Sequence, residues 1–348
     1  MKRALLLAFV FGLSLPAWAL PLANKGNFGM AGWLVYWDAG NQSLKDFEAH
    51  ARDIDRVYCE WYNVEKDGLP HFLKDVSPTA VEETLRAARA NGVKVFMMGG
   101  NYDNQINDHD SKRVEKFLFN PALEKEHIQD LIRMAKQRHS DGIDIDYENL
   151  KKGDRDAFSR FMMDLSGQCK ANGLLLGCAV APKTDPDGTW DGNQCFDYAA
   201  IGKAVDVMHI MTYDDHWGTS AAGPVAPPDW TEQVAEFAAY AVGGLKVELG
   251  LAGYGYDWVD TTGVNIGWDD LLGILKKYHI DSRRDPQTQE ITFTYPGRHT
   301  VWFCDAGSYI PKFETLKKNK LAGFAMWRLG TEDPRFWPML EKEKYARQ

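Results

Sequence analysis

Short apolar runs alternate along this chain with longer stretches in which apolar residues recur at helical spacing. The runs predict eight strands, at residues 32–37, 54–64, 93–98, 142–148, 174–182, 205–213, 247–254 and 321–329. The other stretches predict helices at residues 41–51, 77–91, 111–140, 154–172, 196–203, 230–242 and 309–319, the third broken at Asn120-Pro121. This alternation predicts an α/β fold, a (β/α)₈ TIM barrel. A doubly wound open sheet is the weaker alternative, because no glycine-rich phosphate-binding turn follows the first strand.

Residues 256–305 interrupt the alternation. They contain a predicted helix at 268–278 and strand-like segments at 291–295 and 299–303. We interpret this segment as a small α+β insertion between strand 7 and the last helix. No repeat, low-complexity tract or linker divides the rest of the chain, so residues 20–348 are predicted to form one barrel with an inserted subdomain.

The N-terminus has the pattern of a secretory signal peptide over residues 1–19. A basic start, Met1-Lys2-Arg3, precedes an apolar run at 4–15 and an Ala-x-Ala site that ends at Ala19. A buried N-terminal helix is the alternative. Cleavage would leave 348 − 19 = 329 residues without a second run long and apolar enough to span a bilayer. We therefore expect an exported protein, periplasmic or extracellular, without a membrane anchor.

Net charge, tryptophan content and cysteine content limit the kinds of partner and metal site that the sequence supports. The net charge of −9 becomes −11 once Lys2 and Arg3 leave with the signal, which argues against nucleic acid and anionic membranes as partners. Aromatic residues are plentiful, with 12 Trp; many of them must lie in the core, but an abundance of Trp is also what a sugar-binding cleft needs. The five Cys allow at most two disulfides, whose pairing stays open, and no Cys/His cluster has zinc spacing.

The stretch 141–148, Asp-Gly-Ile-Asp-Ile-Asp-Tyr-Glu, is the strongest candidate for chemistry. Read as a strand, it places three acids on one face and three apolar residues on the other: Asp144, Asp146 and Glu148 against Ile143, Ile145 and Tyr147. Crowded carboxyls share protons, so at least one pKa is raised and a proton donor survives near neutrality. A calcium-binding loop is the alternative, but the EF-hand spacing with its central glycine is absent.

This Asp-x-x-Asp-x-Asp-x-Glu pattern resembles the active-site signature of glycoside hydrolase family 18, the chitinase and endo-N-acetylglucosaminidase family. The resemblance implies a glycosidase that uses the substrate's own 2-acetamido group as nucleophile and needs no metal or cofactor. Glu148 matches the general acid/base and Asp146 the carboxylate that orients the acetamido group. Asp144 matches an inner acid that shares a proton with Asp146. Asp141, at the first and more structural position, is grouped with the substrate-binding residues.

Other strand ends match further parts of this family's site. Tyr213, in Met-Thr-Tyr-Asp, matches the tyrosine whose hydroxyl holds the acetamido group, and Asp214 follows it as a polar cleft residue. Trp327 matches the tryptophan beneath the sugar whose bond breaks, and Tyr36 resembles the first-strand aromatic there. One departure concerns Met97, which stands where many members carry the serine of a Ser-x-Gly-Gly motif.

The substrate within this class stays open. The resemblance requires an N-acetylated glycan, and segments 254–258, 302–312 and 323–330 resemble bacterial spore-cortex and cell-wall N-acetylglucosaminidases. Peptidoglycan and chitin fragments are equally favoured as β-1,4-linked substrates. A catalytically silent lectin on the same barrel is one alternative. A metal-dependent hydrolase is another, although His209 stands alone on strand 6 and is expected to be a satisfied core residue. Oligomeric state is not readable.

Overall fold

The computed structural model of the protein describes residues 22–38 and 40–346. The predicted signal peptide, residues 1–19, therefore lies outside the described residues. Within them, none of the helices is both long and apolar enough to cross a membrane.

Eight parallel strands close into a barrel. They are β1 (Gly29–Leu34), β2 (Arg56–Val64), β3 (Lys94–Gly100), β4 (Gly142–Ile145), β5 (Leu175–Val180), β6 (Val207–Ile210), β7 (Val247–Ala252) and β8 (Gly323–Trp327). Each strand pairs with its neighbours in chain order, and β1 closes the barrel by pairing with both β8, where Gly29 aligns with Gly323, and β2, where Ala31 aligns with Arg56. The predicted (β/α)₈ barrel is confirmed.

Helices follow the strands around the outside of the barrel. They are α1 (Gln42–His50), α2 (Pro78–Asn91), α3 (Ser111–Leu118), α4 (Pro121–Gln137), α5 (Arg155–Ala171), α6 (Asp191–Gln194), α7 (Tyr198–Ala204) and α8 (Pro228–Val242). The helix start at Ser77-Pro78 is capped by Ser77 Oγ, which accepts from Ala80 N at 3.1 Å. The predicted break at Asn120-Pro121 separates α3 from α4, because Asn120 caps the second helix.

Between β7 and the last barrel helix the chain forms a separate antiparallel sheet. Its strands, in spatial order, are Thr262–Ile266, Gly255–Val259, His299–Phe303, Ile291–Tyr295 and Arg283–Arg284. Helix α9 (Trp268–Tyr278) packs on this sheet through a small apolar cluster of its own that includes Leu271 and Phe303. Helices α10 (Ile310–Asn319) and α11 (Phe336–Lys344) then flank β8.

Short elements complete the architecture. Strand Pro70–Phe72 pairs antiparallel with β2, and Tyr102–Asp103 pairs with Asp108–His109 in a hairpin after β3. Single 3₁₀ turns occur at Lys152–Asp154, Gly244–Lys246 and Ala306–Tyr309. All five cysteines are buried and unpaired: Cys59, Cys169, Cys178, Cys195 and Cys304.

Candidate active site

The acidic stretch crosses from the barrel interior to its mouth. The predicted strand 142–148 is too long, because β4 ends at Ile145 and the next three residues continue beyond the last strand pairing. Asp144 is fully buried inside the barrel, and Glu148 reaches the cleft with its side chain 30% exposed. The side chain of Asn101 fixes the backbone of Glu148: its Oδ1 accepts from Glu148 N at 2.9 Å, and its Nδ2 donates to Glu148 O at 3.0 Å.

Crowding and burial raise the pKa of all three acids. Burial raises the pKa of Glu148 to about 7, with further contributions from the charges of Asp214 and Asp108. The pKa of Asp146 lies well above its usual range because the group is buried and faces Glu148 and Asp144. Asp146 Oδ1 is buried without a hydrogen-bond partner among the described residues. The predicted proton donor near neutrality therefore has a physical basis in this arrangement.

Tyr213 and Asp214 lie beside Glu148, just beyond β6. The Tyr213 ring fills space that a glycine provides, since a Cβ at Gly250 would lie 2.6 Å from Tyr213 Cε1. Asp214 Oδ1 accepts hydrogen bonds from Tyr254 at 2.7 Å and Tyr256 at 3.1 Å. Burial raises the pKa of Asp214 to about 6, although these two hydroxyls oppose the shift. Both residues line the same cavity as Glu148.

Aromatic residues just beyond β1 and at the end of β8 form the opposite wall. Tyr36 and Trp327 line a cavity with Asp146 and Glu148, and the Tyr36 hydroxyl is turned outward to Thr84 Oγ1, 3.0 Å away. Trp37, which was not predicted as a site residue, is 60% exposed at this wall. Its Nε1 donates to Glu60 Oε2 at 2.7 Å.

Two cavities meet at Glu148. The larger, about 1000 Å³, lies on the β5–β6 side and has Trp190, Trp217 and Trp230 on its walls. The smaller, about 470 Å³, lies on the β1–β3 side. His109 borders both, with Nε2 3.5 Å from Glu148 Oε1, and burial lowers its pKa so that it is neutral at pH 7. His109 was missed from sequence because it lies on a hairpin after β3, away from any strand end.

Asp141 does not join these residues. It precedes β4 at the opposite, N-terminal end of the barrel, where its carboxylate accepts from Lys94 Nζ at 2.7 Å and from Val95 N at 2.9 Å. Grouping Asp141 with the substrate-binding residues was therefore wrong, because the length of a strand separates it from the cleft. The other predicted residues line the two cavities, except Asp144, which lies buried beneath them.

His209 is a buried residue with both ring nitrogens hydrogen-bonded, which confirms the prediction of a satisfied core histidine. Its Nε2 lies 3.0 Å from Asp144 Oδ1 and its Nδ1 lies 3.0 Å from Glu248 Oε2. Glu248 also accepts from Arg56 Nε at 2.7 Å and from the Tyr58 hydroxyl at 2.7 Å. The sequence signal was a single ionisable residue within each of the apolar segments 207–210 and 247–252, His209 and Glu248, which had to find partners inside the barrel.

The arrangement supplies the groups for acid–base chemistry. It combines a carboxyl that titrates near neutrality, a second buried carboxyl beside it, and a tyrosine hydroxyl facing the same space. In the described ranges, 22–38 and 40–346, no three His, Cys, Asp or Glu side chains are placed to hold a metal ion.

Known proteins share both the sequence pattern and the fold. The family model described as Glycosyl hydrolases family 18 matches residues 32–332. A Bacillus subtilis protein named uncharacterized glycosylase YvbX is 27% identical over 98% of this chain and 99% of its own. The cortical fragment-lytic enzyme of Bacillus subtilis is 28% identical, covering 87% of this chain and 72% of that protein. The crystal structure of a chitinase from Chromobacterium violaceum superposes with a TM-score of 0.83 at 26% identity, over 92% of this chain and all of that one.

Proposed function

The chain belongs to glycoside hydrolase family 18, and we propose that it hydrolyses β-1,4-linked N-acetylglucosaminides with Glu148 as general acid/base. The single observation that carries the proposal is Glu148 at the junction of two cavities, with a pKa of about 7 because of burial and nearby carboxylates. An acid that is half protonated at neutral pH can donate and later accept a proton in one catalytic cycle.

The proposed reaction has two steps. In the first, the acetamido oxygen of the bound sugar attacks the anomeric carbon, the glycosidic C–O bond breaks, and Glu148 gives its proton to the leaving oxygen. Asp146 and the Tyr213 hydroxyl hold the acetamido group in line, so the attack is intramolecular. In the second step Glu148, now ionised, takes a proton from water as that water attacks the anomeric carbon. The acetamide is regenerated and the anomeric configuration is retained.

Cavities on both sides of Glu148 support binding of sugars on both sides of the broken bond. The 470 Å³ cavity, which contains Asp146 and Trp327, would hold the sugar that is attacked, and Trp37 extends its wall. The 1000 Å³ cavity would hold the departing chain against its exposed indoles, Trp190 and Trp217. Pyranose faces stack on indole surfaces of this kind.

Charge favours uncharged glycans over free muramyl sugars. The larger cavity is lined by five carboxylic acids: Asp108, Glu148, Asp185, Asp214 and Asp215. Its cation, Lys183, is 3% exposed and donates to the backbone carbonyl of Phe196 at 2.6 Å, so its charge is turned away from the cavity. Muramic acid brings a carboxylate into this field, which costs free energy. Chitooligosaccharides and muramic residues without a free carboxylate therefore fit best.

Product analysis by mass spectrometry tests the proposal. The protein would be incubated with chitooligosaccharides and, in parallel, with purified peptidoglycan before and after removal of stem peptides. We expect fragments with reducing N-acetylglucosamine, released fastest from chitooligosaccharides. The Glu148→Gln variant should lose roughly 100-fold or more in turnover while it still binds the oligosaccharide. Wild-type rates in that variant would remove Glu148 from its role.

The same experiment separates the alternatives. Binding without cleavage by the wild-type chain would support a lectin on this barrel. Cleavage that a chelator abolishes would support a metal-dependent hydrolase.

We propose in addition that the protein acts outside the cytoplasm, on the strength of the pattern over residues 1–19. Cell fractionation and N-terminal sequencing of the exported form test this, with cleavage expected after Ala19. A cytoplasmic protein that retains Met1 would contradict it.

A further inference from the structure

A hydrogen-bonded row of four ionisable side chains crosses the barrel interior beneath the active site. It runs from Arg56 on β2 to Glu248 on β7, then to His209 on β6 and to Asp144 on β4. All four are at most 1% exposed. The contacts at His209 are 3.0 Å on each side, and Glu248 receives Arg56 Nε at 2.7 Å. Together these three contacts connect Asp144, an acid of the site, to Arg56, a buried cation on the far side of the barrel.

Residues on neighbouring strands leave space for this row of four side chains and cover it. Gly177 on β5 lies in register with Asp144, and a Cβ there would stand 2.3 Å from Asp144 Oδ1 and 3.1 Å from His209 Nε2. Any larger residue at 177 would therefore separate the two side chains. On the other side the Tyr58 ring packs against the His209 ring, with centroids 4.1 Å apart, which excludes water.

Counting hydrogens restricts the charge state of His209. Glu248 accepts from Arg56 and from the Tyr58 hydroxyl, so it is an anion that can only accept from His209 Nδ1. The contact at Nε2 then has two solutions: an imidazolium that donates a hydrogen bond to ionised Asp144, or a neutral imidazole that accepts a hydrogen bond from protonated Asp144. In both solutions the charges of the four buried side chains sum to zero.

We propose that His209 is a positioning residue of the active site: clamped by Glu248, it stays an imidazolium and holds Asp144 as an anion directly behind Asp146. The inference rests on the proposed function only for its catalytic consequence. Burial by itself would lower the pKa of His209, but the adjacent Asp144 and Glu248 outweigh burial and raise it to about 9. Glu248 is a stronger acid than Asp144, because Arg56 and His209 overcome its burial and lower its pKa to about 2.

Among residues 22–38 and 40–346, the groups around the pair supply no second counter-ion for Asp144. Besides His209, the titratable side chains that influence it are Glu248, Tyr58, Tyr62, Cys178 and Asp146, none of them a cation. From β1, β3 and β8 the interior positions are apolar, namely Ala31, Trp33, Phe96, Met98 and Ala325. Arg56 reaches Asp144 only through Glu248 and His209.

An anionic Asp144 acts on the site through Asp146. Like charges disfavour each other, so ionised Asp144 keeps the proton on Asp146 to a higher pH. The pH at which Asp146 ionises beside Glu148 therefore depends on the charge of Asp144. His209 thereby influences the reaction without touching the sugar.

Histidine NMR tests the charge state directly, without any assumption about activity. In ¹⁵N-histidine-labelled protein at pH 7.5 we expect both ring nitrogens of His209 to carry hydrogen. His127 is the matched internal control, since it is also fully buried but lies between the Gly68 carbonyl, 2.8 Å away, and the Tyr147 hydroxyl, 2.9 Å away. Burial lowers the pKa of His127 to about 4, so it should show one protonated and one bare nitrogen.

Variants complete the NMR test. Glu248→Gln should bring deprotonation of His209 to a lower pH, and His209→Gln assigns its signals. A bare nitrogen on His209 at pH 7.5 would overturn the proposal, whether or not the protein cleaves N-acetylglucosaminides.

A double-mutant cycle in the pH profile tests the catalytic consequence. His209→Met removes the counter-ion, so Asp144 takes up a proton and the acid limb of kcat/KM, set by ionisation of Asp146, should move to lower pH. Asp144→Asn should move the same limb in the same direction, and adding His209→Met to it should move the limb no further. Equal shifts in both backgrounds, or an unmoved limb in His209→Met, would reduce His209 to a structural residue. If His209→Met does not fold, Glu248→Gln takes its place in the cycle.

Discussion

Neutralising Asp214 should shift the pH dependence of catalysis without changing the fold. Asp214 is, after burial, the foremost cause of the raised pKa of Glu148. Its own pKa of about 6 means that it is ionised where Glu148 titrates. The Asp214→Asn substitution removes this charge but keeps an oxygen at Oδ1, the atom that accepts from both Tyr254 and Tyr256. The substitution therefore changes the charge at this position and leaves the hydrogen bonds from the two tyrosines in place.

The magnitude follows from the requirement that Glu148 be protonated. With a pKa of about 7, roughly nine tenths of the enzyme carries the proton at pH 6 and roughly one tenth at pH 8. Burial is the larger cause of the shift and remains in the variant, so the basic limb should fall below 7 but stay above 4.5, the ordinary value. Each unit of this fall costs about tenfold in kcat/KM at pH 8 and little at pH 5.

The assay is kcat/KM for a chromogenic chitooligosaccharide between pH 4 and 9 at constant ionic strength. Asp215→Asn is the matched control, because it removes the same charge one residue along the chain and Asp215 does not contribute to the raised pKa of Glu148. A basic limb that stays in place in Asp214→Asn would refute the assignment of that limb to Glu148. An equal shift in both variants would show a general field and not a specific neighbour.

Three further outcomes follow from contacts at and below the cleft. Arg56→Met should lower the free energy of unfolding by about 3 kcal/mol, because Glu248 is left buried without its strongest partner. Urea denaturation measures this, and a loss under about 1 kcal/mol would mean that the pair contributes little. Trp37→Ala should raise KM for long chitooligosaccharides up to about tenfold through lost stacking, with Trp37→Phe close to wild type; equal KM in all three proteins would exclude Trp37 from the sugar path. Glu290→Ala should speed hydrogen exchange at the amide of Val225, which donates to Glu290 Oε2 at 2.8 Å, and unchanged protection would show that other contacts hold that loop.

The barrel could be predicted because each of its strands is a short apolar run in the sequence. The residues at which the strands end could not be predicted in the same way. The runs 142–148 and 205–213 were predicted as strands, but pairing stops at Ile145 and Ile210. Beyond those residues the chain stays buried, with Tyr147 fully covered. Because burial continues where the ladder ends, apolar content does not change at the boundary, and only the geometry of the barrel mouth places it.

Part of the site could be predicted from the sequence, and part of it depends on how the barrel closes. Glu148, Asp146 and Tyr213 were predictable together, since the carboxyl ends of parallel strands converge on one rim of a barrel. The partnership of Arg56 with Glu248 was not, because β2 and β7 are not neighbours in the sheet and meet only across the interior. Pairings through the lumen depend on barrel closure and stagger, which leave no local trace in the sequence.

The insertion contacts the active site through hydrogen bonds to its charged and loop residues. Its buried Glu290 accepts from two backbone amides of the loop between β6 and α8. Tyr256, on its first strand, shares Asp214 with Tyr254 from the end of β7. The insertion therefore holds in place the carboxylate that raises the pKa of Glu148, and a change in its strands can alter the working pH of the acid from outside the barrel. Substitutions that loosen the insertion should consequently act on the pH profile before they act on the fold, since the barrel closes through β1 and β8 without it.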